Sequence, residues 1–236
     1  MNHSLKYYNC DLWLRPVKEA DAKFYDAVNR IHLAICLADD IADRKIYPDS
    51  SVEVFWSTLI GVDLMMDFPD HWKRLRPILQ MVIESERLNL SYIPGQNLVK
   101  KELDFWITRA DLLDFYRMAL SCVNEDYNKK ENLDWFIKFK RFCLIHNDCR
   151  GLLEDDFEDL IQCRRNYVVL NELGHDGYFN WQDKVDCIKN AASETLSELV
   201  LEPPKNKEME IFLEGAHYGE RSIPKIAEFI CGRSAE

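Results

Sequence analysis

The chain has 236 residues, 47% of them hydrophobic and 30% charged, with only 8 glycines and 8 prolines. At that length one core buries roughly 70% of the surface that the unfolded chain exposes, so no disulfide or metal staple is required, and the composition argues against disorder, collagen-like repeats and a turn-rich β-sandwich. With 41 acidic against 30 basic residues, the formal charge of −11 has the wrong sign for gripping nucleic-acid phosphates, and any anionic ligand has to be drawn in by local cations or metals.

A single domain over residues 1–236 is expected. The 8 cysteines form no CxxC pair, and Cys36 and Cys143 sit in apolar runs, so they read as reduced core residues of a cytoplasmic protein. The N-terminal Met1-Asn2-His3-Ser4-Leu5-Lys6-Tyr7-Tyr8 has no apolar signal core, and no stretch approaches the ~20 apolar residues that span a bilayer, so neither export nor a membrane span is expected.

Taken in order, Phe24, Val28, Ile31, Ile35, Ala38 and Ala42 recur at spacings of three and four and predict a helix over 18–44. Further helices are predicted over 52–66 and, despite Pro77, over 71–90, before a turn at Ser91-Tyr92-Ile93-Pro94-Gly95. Leu103, Trp106, Leu113, Tyr116 and Leu120 keep helical spacing from 98 to 123, and a polar stretch over 124–130 precedes a long helix predicted over 133–162. After Arg164-Arg165-Asn166-Tyr167 come a short apolar run over 168–170, a glycine-rich loop over 174–177, and helical blocks over 181–201 and 207–219 separated by Pro203-Pro204. There is no internal repeat, low-complexity tract or alternating strand pattern, and the expected architecture is all-α.

Two acidic segments carry the chemistry. Asp39-Asp40-Ile41-Ala42-Asp43 closes the first strong helix, where positions three and four apart share a face, so three carboxylates converge within about one turn. Left unpaired they repel one another and oppose the negative end of the helix dipole, which points to a cation, and a hard divalent ion takes such oxygen ligands together with substrate phosphates. The alternative is a solvated helix end paired with Arg44 and Lys45. In the second segment, Asn147, Gly151 and Asp155 stand at i, i+4 and i+8, an amide and a carboxylate flanking a position without a side chain. A mid-helix glycine costs about 1 kcal/mol against alanine, so space for a ligand is one reason for it, and an incidental glycine on an acidic surface helix is the other.

Together the segments resemble class I terpene synthases and the wider family of trans-prenyl diphosphate synthases. Asp39-Asp40-Ile41-Ala42-Asp43 matches the DDxxD motif, and Asn147-Asp148-x-x-Gly151-x-x-x-Asp155 is similar to the second, NSE/DTE-type metal motif. The resemblance implies a compact single-domain helical bundle holding three Mg²⁺ ions, with Asp39, Asp40, Asp43, Asn147, Gly151 and Asp155 at the metals and Asp39, Asp40 and Asn147 essential to catalysis. It implies a small-molecule prenyl diphosphate, such as farnesyl or geranyl diphosphate, that is ionised and cyclised with release of diphosphate. Arg109 and Arg117 are candidates for the upstream diphosphate-binding arginine, and Arg164 and Arg165 are further cations near the second motif. Near the C-terminus Ser222-Ile223-Pro224-Lys225 is similar in place to the family's Pro-Arg-Tyr segment, with Lys225 in the position of the arginine and Arg221 competing for the role. Phe24, Trp56, Phe105, Trp106, Phe142 and Tyr167 are candidates to line an apolar cavity, where aromatic faces stabilise a carbocation. The resemblance leaves the assembly as monomer or homodimer.

The second segment also resembles squalene/phytoene synthases through Asn147, Arg150, Glu154 and Asp155, with Gly151 where that family has an aspartate. A condensing enzyme or prenyltransferase on the same fold, and a non-catalytic helical binding protein, are the alternative readings.

Overall fold

The structure, a computed structural model, describes residues 10–42, 50–90, 99–154, 157–161, 164–172 and 181–218. Among the described residues the regular structure is helical and there is no strand, as the sequence pattern predicts. The helices are α1 (Cys10–Trp13), α2 (Arg15–Ala20), α3 (Ala22–Ala42), α4 (Ser50–Met65), α5 (Pro69–Leu90), α6 (Val99–Thr108), α7 (Leu112–Val123), α8 (Lys130–Leu153), α9 (Glu158–Ile161), α10 (Tyr167–Asn171), α11 (Val185–Glu198) and α12 (Glu210–Tyr218), with 3₁₀ turns at Glu125–Asn128, Trp181–Lys184 and Lys207–Met209. No helix among these residues is long and apolar enough to cross a membrane.

Three predicted helices are interrupted. The helix expected over 18–44 breaks at Asp21, whose backbone is extended and whose Oδ1 accepts from the amides of Lys23 and Phe24 at 3.0 Å, capping α3. The stretch over 98–123 divides at 109–111 into α6 and α7. The helix expected over 133–162 ends at Leu153, and Phe157, with φ 44°, opens α9 by accepting from the amides of Leu160 and Ile161. Pro77, by contrast, is carried inside the 22-residue α5.

The chain divides into two compact units, each discontinuous in sequence: Met1–Leu79 with Leu112–Leu133 and Pro204–Glu236, and Gln80–Asp111 with Asp134–Pro203. In the first, α3 buries Phe24, Ala27, Val28, Ile31, Ala34 and Leu37 and packs along α4. That approach is close at Gly61, where a Cβ would lie 2.9 Å from Ile31 Cγ1 and 3.2 Å from the Ile31 amide nitrogen. The N-terminal α1 is held on α12, where Trp13 Nε1 donates to the Phe212 carbonyl at 3.1 Å and Arg15 pairs with Glu214 at 2.8 Å. On α7, Tyr116 reaches across to α3, its hydroxyl sharing a 2.6 Å hydrogen bond with His32 Nδ1 and its ring tilted on Trp13 at 5.4 Å.

The second unit is built on a continuous apolar cluster from α6, the C-terminal half of α8, α10 and α11, with Trp106, Cys149, Leu152, Val168, Ile188 and Ala192 at its centre. Its aromatic anchor is Trp106, fully buried with its ring centroid 4.9 Å from that of Tyr167. The described cysteines form no disulfides, and burial pushes the Cys122 thiol up to about 11, away from the reactive thiolate.

Two consequences can be measured. Gly61→Leu forces α3 and α4 apart and is expected to lower stability by about 1–3 kcal/mol in denaturant unfolding. Burial holds His32 down at about 4, below its ordinary 6.5, so the folded protein binds this proton more weakly than the unfolded chain does. Its contribution to stability is full above pH 6.5 and is lost as pH falls toward 4, by about 3 kcal/mol in all. Urea titrations between pH 7 and 4 are expected to show a shallower acid slope for His32→Gln than for wild type.

Candidate functional site

The first acidic segment belongs to the first unit. Asp39 and Asp40 fall in the last turn of α3, and only their backbone is described; Asp43 lies outside the described residues. Two turns earlier on the same helix stands His32, and one turn earlier Cys36, with Sγ 3.6 Å from His32 Nδ1, so positions 32, 36, 39 and 43 follow one another at i, i+4, i+7 and i+11. The residues between them include Ala34 and Leu37, which are buried. His32 and Cys36 thus share a helical line with position 39 of the same helix.

The second segment belongs to the second unit, and its paired Asn147 and Asp148 separate cleanly. Asn147 is exposed on α8, and Gly151 follows one turn later, half-buried. Asp148 is buried, and its Oδ2 accepts from the Tyr167 amide at 2.6 Å, placing a carboxylate at the N-terminus of α10. The Asn166 side chain caps the same helix by accepting from the Val168 amide at 3.1 Å. α8 ends at Leu153, and Asp155, the third position of the helical stripe predicted through Asn147 and Gly151, lies outside the described residues. Glu154, in the turn after α8, pairs with Arg150.

The cations proposed for diphosphate have unequal surroundings. Arg117 is buried on α7, donates to Asn128 Oδ1 at 2.5 Å, and has its pKa lowered by burial. Arg109, just past α6, is half-buried with its guanidinium over the Trp106 ring at 5.6 Å, while its carbonyl accepts from Lys140 Nζ at 3.0 Å. Arg164 lies 4.0 Å from Glu86. Arg165 is committed to the core: its side chain is 8% exposed, it pairs with Glu102, 3% exposed, donates to the Leu88 carbonyl at 3.0 Å, and lies over the Phe105 ring at 4.4 Å. Arg221 and Lys225 lie outside the described residues.

Of the aromatic candidates, Phe24, Trp106, Phe142 and Tyr167 are core residues, with Phe24 packed on Phe68 and His71. Trp56 is the correction: it is 56% exposed on α4, on solvent rather than in a cavity wall. Asp148, Glu102 and His32 were not singled out by sequence reasoning. A signal existed only for the neighbour of Asp148, since an asparagine immediately before an apolar run, as at Asn166-Tyr167-Val168-Val169-Leu170, is a helix N-cap.

Among the described residues no group of three or more His, Cys, Asp and Glu side chains gathers as a metal site. The donor set that the two segments offer, carboxylates and one amide, is all oxygen and fits a hard divalent cation such as Mg²⁺ better than a thiolate- or imidazole-seeking metal. No family model matches the chain, and neither the curated proteins nor the solved structures yield a match.

The buried pair makes its own prediction. Arg165→Met leaves Glu102 charged and unpaired in the core and is expected to cost about 3–5 kcal/mol, whereas Arg165→Met with Glu102→Leu costs less than the single change. A double-mutant cycle by chemical denaturation reads both.

Proposed function

We propose that the chain is a Mg²⁺-dependent lyase of the class I terpene synthase kind, which ionises a linear prenyl diphosphate of C10 to C20 and releases diphosphate. The observation that carries the reading is α3, a 21-residue helix with a buried apolar face that ends in Asp39 and Asp40, with Asp43 just beyond it. Carboxylates concentrated at the negative pole of a helix need a cation, and an all-helical surrounding suits the fold that the two motifs resemble.

Asp39, Asp40 and Asp43 would hold Mg²⁺ through the first motif, and Asn147 and Asp155, with room left by Gly151, through the second. When bound, the metal supplies Lewis-acid neutralisation of the charge that grows on a departing diphosphate. The chain's own contribution is to present oxygen donors and to bind phosphate oxygens through cations, for which Arg109, Arg221 and Lys225 are the better candidates because Arg117 is buried against Asn128. A guanidinium offers a bidentate fork and Lys225 a point charge. Apolar and aromatic side chains would keep water from the carbocation and favour its cyclisation over hydrolysis. The reading assigns the protein to the cytosol, where its 8 cysteines stay reduced.

The test is incubation of the purified protein with geranyl, farnesyl and geranylgeranyl diphosphates, in Mg²⁺ or excess chelator, followed by diphosphate assay and mass spectrometry of the organic extract. Metal-dependent hydrocarbon or alcohol products are expected. Asp40→Asn and Asn147→Ala are each expected to lower turnover by about 100-fold or more with unchanged circular dichroism, the equivalent of losing about 3 kcal/mol of transition-state stabilisation. Wild-type turnover in both variants, or silence across the panel together with no Mg²⁺-dependent diphosphate binding, overturns the reading.

A further inference from the structure

We draw no further inference here: the strongest candidate, the surface patch of exposed apolar residues Phe55, Leu59 and Val62 on α4, carries nothing because nothing in the structure shows what covers it.

Discussion

The helix α3 has to satisfy two opposed demands, and much of the first unit follows from how it does so. Its apolar face must be buried for a 21-residue helix to persist, yet its sequence carries His32 and Cys36 into the same segment and finishes in Asp39 and Asp40. The interior accepts the imidazole because it is neutral and because the Tyr116 hydroxyl meets its Nδ1 at 2.6 Å, which in turn fixes α7 against α3. A charged residue at position 32 would have no such answer. The carboxylates come last, in the final turn, where a helix can emerge from its packing.

The second unit meets a similar demand with fixed charges. Glu102 and Arg165 lie deep among aromatic side chains, and each is tolerable there only through the other and through the Leu88 carbonyl that takes a further guanidinium proton. Asp148 is buried on the same principle, its carboxylate satisfied by the Tyr167 amide at the start of α10. These contacts tie α6, α8 and α10 around Trp106 and Tyr167, and they hold Asn166 and Asp148 in place while Asn147 stays in solvent. A single Asn-Asp dipeptide is thus divided by burial, with Asp148 inside the unit and Asn147 exposed on α8.

Burial also separates the candidate cations, which look alike in the sequence. Arg165 and Arg117 are spent on internal partners, whereas Arg109 keeps its guanidinium on the face of Trp106 at the end of α6. Desolvation makes the difference, since a guanidinium already taken from water and hydrogen-bonded inside would have to break those bonds to meet a phosphate. Trp56, by contrast, is exposed on α4 rather than packed in the core.

Hydrophobic periodicity, a local property, by itself determined that the chain is helical, with α5 carried across Pro77 and α3 bearing two aspartates in its last turn. The cap at Asp21, the end of α8 at Leu153 and the positive φ of Phe157 were less legible because they depend on the conformation of a few atoms rather than on a repeating pattern. Periodicity says that a face is apolar but not which neighbour covers it, so it could not tell the buried side of α4 from the exposed one, nor foresee that Arg165 meets Glu102 across 63 residues of chain. Only the tertiary structure decided those matters, because the cost of leaving a charge or an apolar side chain in a given place is set by what folds against it.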